Sequence, residues 1–186
     1  VLTRRYYVVL PSDLGHFGIV WTGSDDGVSV RRILLPGPRD RVESLARFVC
    51  GAGAGRAGAP IGRLGEQIRS FLSGSPTDFR LDLLSLDLCS GFQRSVLLAE
   101  HAVPRGWVTT YGRMAAHLGV PGGARAVGGA LARNPFPIVI PCHRVIRSDG
   151  SLGGFQGGAP MKRALLTSEG IHVSSDGRVL AERIYY

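Results

Sequence analysis

The chain has 186 residues, 44% of them hydrophobic and 19% charged, with a formal net charge of +8. That length allows one large domain or two small ones, and the apolar share supports a packed core, which excludes wholesale disorder. No run is long and apolar enough for a membrane-spanning helix, and the residues from Val1 onward carry no basic-then-apolar leader, so a cytoplasmic protein (nuclear in a eukaryote) is expected, with an initiator methionine or a few residues ahead of Val1.

Cys50, Cys89 and Cys142 are odd in number, far apart and without paired metal spacing, so neither a disulfide framework nor a zinc site is expected. The charge is uneven. Residues 1–90 carry eleven Arg against nine acidic residues, residues 91–170 carry eight Arg and one Lys against three, and the rest balance. A basic excess in the second half points to a polyanionic partner, nucleic acid first; a solvated basic face is the simpler alternative.

Taken in order, Tyr6 to Leu10, Phe17 to Trp21 and Val28 to Leu35 read as strands, with turns at Gly15 and at Asp25, Asp26 and Gly27. Asp40 and Glu43 have capping-box spacing for a helix from Arg41 to about Cys50. Gly51 to Pro60 reads as a flexible surface loop; it lacks the Gly-Lys-Ser/Thr ending of a phosphate loop. Ile61 to Leu72 reads as helix and Phe79 to Leu84 as strand. Ser90 and Gln93 form a second capping box, opening a helix with Phe92, Val96, Ala99 and Val103 near helical spacing, stopped by Pro104. This new helix and the change in charge put a boundary between two parts near residues 85–90.

Thr109 to Leu118 and Ala124 to Arg133 read as two short helices about a turn, Gly119 to Gly123, the arrangement of a helix-turn-helix. The second helix is nearly all small residues with one long cation, Arg125. It can lie in a narrow groove, or it can be a closely packed pair for structural reasons. Asn134 and Pro135 end it. Ile138 to Ile140 reads as a buried strand that Pro141 terminates. Cys142, His143 and Arg144 follow, a thiol beside two cationic side chains, and nearby positive charge lowers a cysteine pKa toward the reactive thiolate. An isolated pair of this kind is equally compatible with a buried core cysteine and a surface histidine. Ser148 to Gly150 is a turn, Ser151 to Gly158 a glycine-rich loop with one aromatic, Phe155. Pro160 opens a last helix ending at Glu169 and Gly170, and the tail forms a hairpin about Asp176 and Gly177.

From about Ser90 to Gly170 the chain resembles the O6-alkylguanine-DNA alkyltransferases. The likeness is carried by Gly91-Phe-Gln93, Val108-Thr-Thr-Tyr-Gly112, Ala124-Arg-Ala-Val-Gly-Gly-Ala130, Arg133-Asn134, Ile140-Pro-Cys-His-Arg-Val145, Gly157-Gly158 and Glu169-Gly170. The resemblance implies an α+β fold: a small ribonuclease-H-like α/β domain, residues 1–88, then a mainly helical domain, residues 89–186, with the helix-turn-helix and the Pro-Cys-His-Arg active site. It implies a monomer that needs no cofactor or metal and acts on double-stranded DNA containing O6-alkylguanine. The damaged nucleotide is flipped out and its alkyl group passes once, irreversibly, to Cys142.

In that resemblance His143 takes the thiol proton through a water, Glu169 orients His143, Tyr111 donates to the leaving guanine, and Asn134 braces the cysteine segment. Val145, Phe155, Gln156 and Gly157 form the substrate pocket. Arg125 fills the emptied stack, and Tyr111, Gly112, Gln93, Ser148, Ala126 and Gly129 meet the DNA. Gln156 stands where many members have a small hydroxyl residue, and Val120 replaces a polar turn residue. A non-catalytic damage-binding module and a Cys-His-Glu hydrolase are the rival readings. The first lacks the acceptor cysteine in known examples; the second requires an oxyanion hole that the sequence does not reveal.

Overall fold

The computed structural model describes residues 4–23, 27–180 and 182–186; Asp25 and Asp26 of the expected turn lie outside them. The fold is mixed α+β. The chain divides into two compact units, residues 1–86 with 135–139, and residues 87–134 with 140–186.

In the first unit, β1 (Arg5–Ser12), β2 (Gly15–Thr22) and β3 (Ser29–Gly37) form an antiparallel meander. Runs of β-branched and aromatic residues favour this, and β2 is buried along nearly its whole length because helices cover both faces. On one face Tyr7, Val20 and Leu34 pack with Val42, Ala46 and Cys50. On the other, Leu10 and Ile19 lie so close to the second helix that a Cβ on Gly65 would stand 2.5 Å from Leu10 Cδ1.

Three expectations here are corrected. The capping box at Asp40 does not form. α1 (Arg39–Ser44) begins two residues earlier, after Pro38, and Glu43 pairs with Arg39 at 3.5 Å instead of reaching back. The helix widens into a π-helical stretch, Leu45–Val49. The glycine-rich segment is not wholly a loop: Gly53–Ala54 form β4, parallel to β1, and α2 (Ala59–Leu72) begins within the segment, with Pro60 in its first turn. The missing side chains are what let this edge approach, since a Cβ on Gly55 would sit 2.7 Å from Tyr6 Cβ. Phe79 to Leu84 is not a strand. A turn from Leu81 to Leu84 breaks the alternation, leaving one bridge, Leu84 to Val30.

The second unit holds α3 (Gly91–His101), β5 (Thr109–Thr110), α4 (Tyr111–His117), α5 (Ala124–Ala132), β6 (Val145–Ile146), α6 (Gly158–Ser168), and the hairpin β7 (His172–Val173) and β8 (Val179–Leu180). Ser90 caps α3 by accepting from the Gln93 N–H at 3.3 Å. Thr110 caps α4 from the Arg113 N–H at 3.2 Å. β5 and β6 pair in parallel, and the hairpin turns where expected, with Gly177 at φ 84°. Val108, Ile146, Leu152, Leu166, Ile171, Val173 and Val179 form the core beneath them.

The expected buried strand from Ile138 to Ile140 is a buried turn instead. Ile138 stands at φ 77°, a left-handed conformation that is strained for a β-branched residue, so no ladder runs through it.

Candidate active site

Pro141 leads into a single 3₁₀ turn, Cys142–Arg144, whose three side chains are all buried. Parallel pairing of Val145 with Thr109 fixes the exit of this turn, next to the N-terminus of α4. The Cys142 thiol faces a cavity of about 300 Å3 lined by Tyr111, Gly128, Leu131, Ala132, Gly154, Phe155 and Gln156. The structure thus brings one helix end, one helix face and the glycine loop around a single sulfur.

Behind the sulfur lies a charged network. His143 Nε2 is 2.8 Å from Glu169 Oε1. The Arg144 guanidinium forks onto the same carboxylate, with Nε donating to Oε2 and Nη2 to Oε1, both at 2.9 Å, while Nη1 donates to the Val103 carbonyl at 2.6 Å. Burial pushes the Glu169 carboxyl up, but the His143 and Arg144 hydrogen bonds and charge together outweigh it and hold the group at about 2. It is therefore an anion at neutral pH. Burial pulls the His143 pKa below its ordinary value, more than Glu169 raises it. A neutral imidazole donating from Nε2 to a carboxylate carries its lone pair on Nδ1, so this histidine is a base.

One expectation about the sulfur is overturned. Burial drives the Cys142 thiol up to about 12, against a hydrogen bond from Asn134 and the charge of Lys162. The Arg144 charge that adjacency in sequence offers to the thiol is committed to Glu169. The resting group is a thiol.

Asn134, just past α5, is buried and donates from Nδ2 to the Ile140 carbonyl at 3.2 Å, tying the helix end to the cysteine segment. The Tyr111 hydroxyl lies against the glycine loop: a Cβ on Gly153, at φ 68°, would stand 3.0 Å from it. Burial raises the Tyr111 pKa, so the phenol keeps its proton. Phe155 meets His143 edge to face at 6.4 Å. The Gln156 amide donates to the carbonyls of Asn134 at 2.8 Å and Ala132 at 3.1 Å, latching the loop to the end of α5. Gly157 is walled in by Met161 and Phe155.

The Val145 carbonyl accepts from Lys162 Nζ at 2.6 Å. Gln93 turns inward, its side-chain amide donating to the Ala130 and Arg133 carbonyls at 3.2 and 3.1 Å, so it caps α5 and does not reach back to complete the capping box expected with Ser90. Arg125, Ala126, Gly112 and Ser148 are exposed, and Gly129 is half-buried on α5.

Three residues were not legible as parts of the site. Adjacency in sequence offers Arg144 to the thiol, whereas in the structure it forks onto Glu169. Lys162, the chain's only lysine, is fully buried. Glu100 is fully buried on α3 with both carboxyl oxygens lacking a partner among the described residues. Its available signal was a lone acid between Val96 and Val103 on an apolar helix face. Among the described residues no three His, Cys, Asp or Glu side chains converge as metal ligands, and Cys50, Cys89 and Cys142 are free.

A family profile described as the 6-O-methylguanine DNA methyltransferase DNA-binding domain matches residues 91–171. The methylated-DNA–protein-cysteine methyltransferase of Methanothermobacter thermautotrophicus is 43% identical over 169 residues, 91% of this chain and 88% of that protein. The Salmonella typhimurium protein of the same name is 39% identical over 158 residues, 82% of this chain and 90% of its own. Among solved structures, Mycobacterium tuberculosis OGT in complex with DNA aligns with a TM-score of 0.68 at 32% identity, covering 88% of this chain and 92% of that one. The Pyrococcus kodakaraensis O6-methylguanine-DNA methyltransferase aligns with a TM-score of 0.63 at 28% identity, over 89% and 99%. Identity of this order sustained over nine-tenths of the chain means that it belongs to the methylated-DNA–protein-cysteine methyltransferase family.

Proposed function

We propose that this protein repairs DNA by direct reversal, moving the alkyl group of O6-alkylguanine, and of O4-alkylthymine, from duplex DNA onto Cys142 in one irreversible turnover. The observation that carries this is Cys142 at the wall of a cavity with a neutral His143 and an ionised Glu169 behind it. Displacement at an alkyl carbon needs a strong nucleophile, which a thiol becomes only when a base removes its proton. His143 takes that proton through an intervening water, and Glu169 stabilises the imidazolium. Sulfur bonds to the alkyl carbon as the carbon–oxygen bond breaks, and the electron pair passes to the guanine. The Tyr111 hydroxyl donates a proton to the departing base, so atoms and charge balance without a cofactor.

A base within a duplex is out of reach, so the nucleotide is extruded at a cost of a few kcal/mol. Arg125, exposed on a helix of small residues, occupies the gap and offsets part of that cost. In this reading α4 and α5 are a helix-turn-helix, with Gly112, Ala126, Gly129 and Ser148 along the DNA, and the substrate sits against Phe155, Gln156, Gly157 and the Val145 backbone. Residues 1–88 are a ribonuclease-H-like domain without site residues, residues 89–186 carry the chemistry, and the protein works as a monomer. No helix among the described residues is long and apolar enough to cross a membrane.

The test is to incubate the protein with duplex DNA containing O6-methylguanine, digest it and weigh the Cys142 peptide. A methyl adduct with restored guanine is expected, and Cys142→Ala should abolish transfer while keeping DNA binding. Tight binding of wild type without an adduct would favour the damage-sensing alternative.

A further inference from the structure

Glu100 has no place in that mechanism, yet it is the most exceptional carboxyl in its unit. It is fully buried on α3, and neither oxygen has a hydrogen-bond partner among the described residues. An ionised carboxylate so placed is costly, so the group is held with its proton. Burial pushes its pKa up to about 8; Arg144 and Lys162 pull the other way, and Glu169 adds to the push.

The titratable and charged groups facing it come from every surrounding segment. They are Cys142 and Arg144 from the 3₁₀ turn, Lys162 from α6, Glu169 at the end of α6, Tyr111 from α4 and Tyr186 from the tail. Of the charges, Arg144 and Glu169 satisfy each other. Lys162 does not pair with a carboxylate; its Nζ bonds the Val145 and Gly154 carbonyls at 2.6 and 3.3 Å. Burial lowers the Lys162 pKa to about 8, in the same range as Glu100. Cys142 feels both, and in opposite senses: the lysine charge eases loss of the thiol proton and the Glu100 charge resists it.

We propose that Glu100 is a positioning residue for the transfer chemistry: with its proton on, it leaves Lys162 as the unopposed charge facing Cys142, and once ionised it cancels that help. This rests on Cys142 being the acceptor. The two groups titrate as a coupled pair. As pH rises through about 8, the charge they present to the sulfur passes from positive through neutral to negative. In Glu100→Gln only Lys162 titrates, so the change stops at neutral.

The experiment follows the rate at which iodoacetamide labels Cys142 between about pH 6 and about pH 10, peptide masses separating it from Cys50 and Cys89. Methyl transfer from an O6-methylguanine duplex is followed in parallel. Wild type should slow its rise near pH 8, and Glu100→Gln should match it at pH ~6.5 yet run up to about tenfold faster at pH ~9.5, the effect of a one-unit change in thiol pKa. Superimposable profiles would overturn the proposal. If Glu100→Gln does not fold, Glu100→Leu replaces it. A wild-type rate that rises log-linearly through pH 8 overturns the proposal without any variant. Absence of a methyl adduct at every pH would refute the acceptor assignment, while the iodoacetamide profiles would still decide the role of Glu100.

Discussion

The two units spend their interiors differently. Among the described residues, the first unit buries no carboxylate, lysine, arginine or histidine: its buried polar side chains are Thr22 and Ser85, along with the Tyr7 phenol, held by Arg47, and the Cys50 thiol, and Ser85 is satisfied by Ser29 at 2.6 Å. The second unit buries Glu100, Thr109, Asn134, His143, Arg144, Lys162 and Glu169. Burying charge is costly unless it is paired, and the second unit leaves one carboxyl unpaired. A core built only for stability has no reason to do this, so the cost supports the site proposed for the chemistry.

The comparison can be broken most directly at Glu169. Glu169→Gln leaves a buried guanidinium without its anion, which should destabilise the protein by about 3–5 kcal/mol in urea unfolding and slow alkyl transfer sharply. A loss no greater than that of an apolar substitution would mean that the Glu169 carboxylate does not hold Arg144 and His143 as described.

pH separates the two buried acids. Glu169 falls from an ordinary 4.5 to about 2 on folding, so its stabilisation is present above about pH 4.5 and is lost as pH falls through about 2. Glu100 rises from 4.5 to about 8, so it adds no pH-dependent cost below about pH 4.5 and destabilises increasingly up to about pH 8. Glu100→Leu should remove that alkaline decline, on the order of a few kcal/mol between pH ~5 and pH ~8, seen as unfolding midpoints that no longer drift downward. The smallest effect belongs to the apolar unit. Ile19→Val in β2 should cost about 0.5–1.5 kcal/mol at every pH and leave transfer unchanged, because it removes one methylene and no charge.

What could be read from the sequence was local. β1 to β3 follow from β-branched and aromatic runs, and α3 from Ser90, whose cap is made within three residues; the helix expected from Thr109 starts at Tyr111, because Thr109 and Thr110 pair as strand and Thr110 caps it. What could not be read depends on distant partners. Asp40 has the same spacing as Ser90, but Pro38 starts the helix earlier. Gly53 and Ala54 become a strand only because β1 offers its edge. Ile138 has strand-forming chemistry and is forced into a left-handed turn. Arg144 stands two residues from Cys142 and serves Glu169, 25 residues away. Cys142, His143, Asn134 and Glu169, named through the family resemblance, lie together in the structure; the direction of the thiol pKa was not legible, because burial decides it.

The glycine loop reverses an ordinary intuition about information. Stretches such as Ser151 to Gly158 look dispensable on paper, since a tiny alphabet repeats with little pattern. Yet Gly153 holds a backbone angle of 68° with a phenol oxygen 3.0 Å from where any side chain would begin, and a Cβ on Gly157 would meet the Met161 sulfur at 2.4 Å and the Phe155 ring at 2.9 Å. A saturation mutational scan should therefore find Gly153 and Gly157 far less permissive than Gly154, where an added Cβ would meet nothing within 4 Å, so identical letters record occupied space at two positions and open space at a third.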